Sequence, residues 1–256
     1  FTEPAYRDDV DNGVLDKALQ ENRAFNRWYH TNTRAHKRDG YRSVTLTLKK
    51  TGRIPGDVSD EQLEAIADLA DRYSFGELRN THQQNMVLSD VATDDLFELW
   101  EKLDALGMAT PNLGLLTDIV ACPGGDLCAL ANAKSVPVAE GIQRRFDDMD
   151  YVHDLGPLDI NISGCMNACG HHHIGHIGIL GVDKKGKEFY QITLGGRGDK
   201  LSRIGEKMGP SFESYEVTDV IEKIINVYVD KRLENEPFID TYERIGMEPF
   251  KEHVYG

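Results

Sequence analysis

The sequence predicts an α+β fold, and three observations carry that expectation. Residues 41–110 alternate strand-like and helix-like patterning, apolar runs at 115–121 and 158–163 each lead straight into a cysteine pair, and the C-terminal stretch has helical apolar spacing. At 256 residues, 40% hydrophobic and 28% charged, the chain is long enough for one large domain or two small ones. The expected divisions are a linker and N-terminal helix over 1–40, a small α+β unit over 41–110, and a cysteine-bearing domain over 111–256.

Taken in order, residues 1–13 are polar and irregular. Ala18, Phe25, Trp28 and Tyr29 mark a helix over 15–36, weakened by Asn22 and Asn26. Val44, Leu46 and Leu48 alternate with Thr45 and Thr47, which predicts a strand over 41–50. Ser59 and Gln62 form a capping box for a helix with Leu63, Ile66, Ala67, Ala70 and Tyr73 on its inner face. A second strand is expected over 78–88, and Thr93 caps a helix carrying Leu96, Leu99, Trp100 and Leu103. A helix over 129–149 is expected to break near Pro137. Residues 177–182 and 187–194 read as a hairpin across Asp183-Lys184-Lys185-Gly186. Ile221, Ile224, Ile225 and Tyr228 mark a helix over 218–233, and a second short helix follows over 238–245.

One strand is unusual. From Arg79 to Asn85 seven consecutive residues are polar, where a buried strand would be apolar at every second position. Either this is a solvated edge strand, or its polar face meets a ligand.

The cysteines are the centre of the sequence. There are four, Cys122, Cys128, Cys165 and Cys169, in a C-x5-C pair and a C-x3-C pair. Four thiolates supply one ligand to each iron of a cubane 4Fe-4S cluster. Pro123, Gly124 and Gly125 follow the first cysteine, and Gly164 and Gly170 bracket the second pair. Such glycines permit tight turns close to a bulky cofactor. One helical turn would put Cys165 and Cys169 on the same face. Three other readings stand beside the cluster. Structural zinc could draw on His171, His172, His173 and His176, although its cysteine pairs are usually tighter. Disulfides belong mainly to secreted, cysteine-dense chains, and the thiols could be unligated. A second feature, Gly195-Gly196-Arg197-Gly198 with Lys200 and Arg203, puts glycines and cations after a strand. That suits an anionic group or a plain surface loop.

Composition narrows the partners. With 29 Lys and Arg against 43 Asp and Glu, the net charge of −14 argues against nucleic acid. No apolar run approaches the roughly 18 residues of a membrane span, and no secretory segment stands out, so no membrane partner and a cytoplasmic location are the expectation. The start at Phe1 is read as that of a processed or excised piece.

The cysteine spacing, with the flanking 117–125 and 161–170 and with Leu194-Gly195-Gly196, resembles the sulfite and nitrite reductases that couple a 4Fe-4S cluster to siroheme. The resemblance covers roughly residues 40–230 and matches the C-terminal, cluster-bearing half of those enzymes. It implies a small ferredoxin-like half-domain followed by a mixed α/β siroheme and 4Fe-4S cluster-binding domain. It also implies that Cys122, Cys128, Cys165 and Cys169 hold the cluster, and that Cys169 is shared with the siroheme iron and is therefore catalytic. Asn167 and Gly170 would orient that thiolate. Arg79, Thr81, Gln83 and Asn85, at every second position, would contact the siroheme carboxylates, with Gln84 as the register alternative, and Arg197 would contact another. The implied reaction is the six-electron reduction of sulfite to sulfide, or of nitrite to ammonia. The small anion would be held mostly by cations of an N-terminal half of the same reductase, so this chain alone would be catalytically incomplete. Electrons would come from a flavoprotein or a ferredoxin. A non-catalytic iron–sulfur electron-transfer or scaffold protein is the competing reading, and His171, His172 and His173 are left unassigned.

Overall fold

The computed structural model describes residues 4–256, so part of the irregular start expected over 1–13 lies outside the described residues. The chain divides into two units, Phe1–Lys50 with Gly56–Leu113 and Thr51–Pro55 with Gly114–Gly256.

The first unit contains α1 (Asn12–Glu21), α2 (Arg23–Asn32), β1 (Thr33–Ala35), β2 (Tyr41–Leu46), α3 (Asp60–Tyr73), β3 (Leu78–Asn80), β4 (Met86–Ala92) and α4 (Leu96–Ala105). The single helix expected over 15–36 is two helices, because Asn22 ends the first and its side chain accepts from the Phe25 N–H to cap the second. The capping box of Ser59 and Gln62 is formed. The helix it starts buries Ile66, Leu69, Ala70 and Tyr73, while Leu63 is left 45% exposed. The strands form an antiparallel sheet in the order β1-β2-β4-β3. Phe25, Trp28, Val44, Leu46, Ile66, Leu88, Leu96 and Leu99 are fully buried in its core, each contributing about 1.5–3 kcal/mol by leaving water.

The strand expected over 78–88 is instead a hairpin. Leu78 pairs with Leu88 and Asn80 with Met86, and the polar residues close the turn between them. Thr81 N–H donates to the Asn85 carbonyl at 2.9 Å, Asn85 N–H to Thr81 Oγ1 at 3.1 Å, and Gln84 takes a left-handed φ of 57°. Short polar side chains that bond their own backbone favour turns over extended chain.

The second unit contains β5 (Val120–Ala121), α5 (Val136–Arg145), α6 (Met149–Leu155), β6 (Ile160–Ser163), β7 (Ile177–Lys184), β8 (Lys187–Leu194), β9 (Glu206–Lys207), β10 (Phe212–Glu213), α7 (Val217–Lys231), α8 (Phe238–Ile245) and α9 (Glu248–Tyr255). The sheet is mixed, in the order β10-β8-β7-β6-β5 with β9 on β8. Strands β5, β6 and β7 run parallel, and β7 and β8 form the expected hairpin. Strand β6 lies between parallel neighbours and is buried throughout rather than on alternate residues. Of the run 115–121 only Val120 and Ala121 are strand. Helix α5 is unbroken, since Pro137 lies in its first turn, where a missing N–H costs nothing. Helix α9 follows the two expected tail helices.

Candidate metal centre

The two cysteine pairs begin at the adjacent C-terminal ends of two parallel strands. Ala121 pairs with Ile162, and Cys122 N–H extends the ladder to the Ile162 carbonyl at 3.1 Å. Cys122 therefore leaves β5 beside the point where Ser163 and Gly164 lead β6 into Cys165. The loops that follow are tied together, because the N–H groups of Asn132 and Ala133 both donate to the Gly164 carbonyl, at 2.8 and 3.0 Å.

Close backbone contact explains the glycines. A Cβ on Gly164 would stand 2.6 Å from the Ala133 carbonyl oxygen, and one on Gly170 would stand 1.9 Å from that of Ile162. Between them the C-x3-C segment is not the helical turn expected from its spacing. Ala168 N–H donates to the Cys165 carbonyl, and Ala168 and His171 hold left-handed φ values of 58° and 55°. The chain thus reverses on itself, and the two sulfurs meet different surroundings. Cys122 and Cys165 are buried, Cys128 is half-buried, and Cys169 is exposed.

Two groups converge on the sulfur of Cys122. Gly164 N–H donates to Cys122 Sγ at 3.0 Å, and Ser135 Oγ lies 3.4 Å from the same atom. Sequence reasoning missed Ser135. Its one signal was a serine just ahead of Val136-Pro137, a helix-start pattern. Lys134 pairs with Asp126 at 3.0 Å, clasping the loop that carries Cys128.

The donor set fits a 4Fe-4S cluster. It is all sulfur, it sits on loops held by a sheet, and a backbone N–H already points at one ligand. Among the described residues no three His, Cys, Asp or Glu side chains gather as a single metal ion would need. Of the histidines, His172 is buried, its Nδ1 has no partner, and burial with help from His173 pushes its pKa down to about 4.

The remaining candidates are scattered. Arg79 is exposed, paired with Glu77, and lines a cavity of about 470 Å3 on the first unit with His36, Lys37, Ser89 and Asp90. Gln83 is exposed at the hairpin turn, and Thr81 is half-buried at its start. Asn85 is buried, and its Oδ1 accepts from Leu48 N–H at 3.0 Å. The four do not share a strand face, because a turn separates them. Lys49, unremarked in the sequence, is fully buried beneath this turn and donates from Nζ to the Gln83 carbonyl at 2.8 Å. Asn167 is exposed beside Cys169, and Gly170 is buried with its N–H on Ser163 Oγ. The Arg197 guanidinium is held by Asp199 and Glu243, which raise its pKa.

Two cysteine loops tied together at the C-terminal ends of β5 and β6 suit the class of iron–sulfur proteins. The family model "Nitrite and sulphite reductase 4Fe-4S domain" matches residues 115–256, and "Nitrite/Sulfite reductase ferredoxin-like half domain" matches residues 35–106. The chain belongs to the nitrite and sulphite reductase 4Fe-4S family, and that membership implies a 4Fe-4S cluster and siroheme as cofactors. It is 33% identical to sulfite reductase (ferredoxin) 2 of Mycolicibacterium paratuberculosis over 72% of this chain and 35% of the relative. It is 29% identical to the chloroplastic ferredoxin–nitrite reductase of Zea mays over 84% of this chain and 38% of the relative. The chain thus spans little more than a third of the length of these relatives. The solved structure of the NirA protein of Mycobacterium tuberculosis superposes with a TM-score of 0.69 at 29% identity, covering 86% of this chain and 41% of that one. Dissimilatory sulfite reductase I has the same fold, with a TM-score of 0.68 at 16% identity over 84% of this chain and 69% of that one. Among the described residues no helix is long and apolar enough to cross a membrane.

Proposed function

We propose that this chain is the cluster-bearing part of a sulfite reductase, acting in the six-electron reduction of sulfite to sulfide. The observation that carries the reading is the pair of cysteine loops at the adjacent ends of β5 and β6. Cys122, Cys128, Cys165 and Cys169 would hold the 4Fe-4S cluster, and Cys169, the exposed one, would also serve the siroheme iron. The bound cofactors supply the electron storage and the reducing centre that no side chain provides.

What the chain's own residues do is hold and orient. Gly164 N–H and Ser135 support the Cys122 thiolate from inside, and the Gly170 turn fixes the direction of Cys169. Leu127, Leu130 and Met166, 81%, 74% and 81% exposed on the cysteine loops, offer apolar surface of the kind a macrocycle covers. Arg79, Thr81 and Gln83 are the exposed or half-exposed candidates for its carboxylates. Asn167 and Arg197 are retained as contacts, and Asn85 would act from beneath by fixing the turn. The anion and its protons would be handled largely by residues of a related N-terminal half, and the donor would be a ferredoxin, in keeping with the names of the relatives.

Nitrite is the second substrate in view, because a ferredoxin–nitrite reductase matches over 84% of the chain. Turnover with reduced ferredoxin, with and without the related half, separates the readings. Sulfide from sulfite at the higher kcat/KM supports the proposal, and ammonium from nitrite at the higher value moves it to the second reading. A loaded protein that reduces neither in either arrangement is an electron carrier instead.

A further inference from the structure

We propose that Ser135 is a positioning residue that sets the reduction potential of the cluster from the Cys122 side. The inference rests on the cluster reading above and goes beyond it to a residue outside the cysteine motif.

Ser135 occupies the N-cap position of α5, where a serine hydroxyl ordinarily accepts from an N–H of the first turn. No such bond is made here. The side chain is fully buried, and its Oγ lies 3.4 Å from Cys122 Sγ. A buried hydroxyl needs a partner, and in this position the partner is the sulfur. The neighbouring hydroxyl, that of Ser163, is turned instead to the Gly170 N–H at 3.1 Å.

Ligated to iron, Cys122 is a thiolate and can only accept, so the Ser135 O–H donates. Hydrogen bonds to cluster sulfurs favour the reduced state, which carries more negative charge, and raise the potential. One further group acts in the same sense: Gly164 N–H donates to the same atom at 3.0 Å. Cys122 is therefore the stabilised corner of the site, and the hydroxyl is the one element there that a side-chain change can remove without disturbing the backbone.

The test uses the cluster-loaded protein with Ser135→Ala, Ser135→Thr and Ser135→Cys. Iron and sulfide content of the unmutated protein tests the cluster reading itself, and the midpoint potential, followed by EPR-monitored titration, tests this inference. We expect S135A to titrate at a more negative potential with unchanged cluster content, and to lose part of the D2O sensitivity of its Fe–S(Cys) Raman bands. S135T, which keeps the hydroxyl, should restore both. If S135A fails to load, S135C decides, because it keeps the volume with a much weaker donor and should also titrate below the unmutated protein. An unchanged potential in the loaded S135A or S135C, the same shift in S135T as in S135A, or failure of all three to load would overturn the proposal.

Discussion

The Gly170 α-carbon lies so near the Ile162 carbonyl that a Cβ there would stand 1.9 Å from its oxygen. This contact packs the turn after Cys169 onto the strand that leads to Cys165. Gly170→Ala must push the turn off β6, at a cost of about 1–3 kcal/mol or more. Thermal melts should show that loss, and cluster content should fall with it. A G170A protein with unchanged iron content and midpoint would show that the turn does not depend on this approach.

The hairpin turn gives a second prediction, because its neighbours divide the work. Asn85 Oδ1 caps the Leu48 N–H from a buried position, so Asn85→Ala orphans a donor at about 1–3 kcal/mol. Gln83 is exposed, and Gln83→Ala should stay within about 0.5 kcal/mol. Urea denaturation of the two variants compares them directly. Equal losses would mean that the turn is held by its backbone alone.

These residues also show what could be read from the sequence. The C-x5-C and C-x3-C spacing was legible in the sequence, because four thiolates are the ligand set a cubane cluster takes. The capping box at Ser59 was equally legible, being a local pattern with a local cause. The run Arg79–Asn85 was not, since unbroken polarity fits a strand face and a turn alike, and only the pairing of Leu78 with Leu88 decides. Ala168 hid the reversal between Cys165 and Cys169, because alanine gives no sign of a left-handed φ. Ser135 was hidden by the reverse problem, as a normal helix-start residue whose hydroxyl is used elsewhere.

His172 predicts a pH dependence. Burial lowers its pKa from 6.5 to about 4, so below pH 6.5 the unfolded chain takes up a proton that the folded one refuses. Its contribution to stability is fully present above that value, falls as the pH drops, and levels off below about pH 4. The whole change is on the order of 3 kcal/mol. Denaturation at pH 7, 5.5 and 4.5 should show the decline, and His172→Gln should flatten it. Parallel slopes in the two proteins would place the acid sensitivity elsewhere.

On the reading proposed above, Cys122, Cys128, Cys165 and Cys169 together hold one 4Fe-4S cluster. Iron and acid-labile sulfide determined on protein purified without oxygen, beside the Cys165→Ser variant, test it most directly. About four sulfides with four irons per chain are expected, with one iron more where siroheme is bound and loss of the sulfide in C165S. Zinc in place of iron, or no sulfide with all four thiols free, would contradict it.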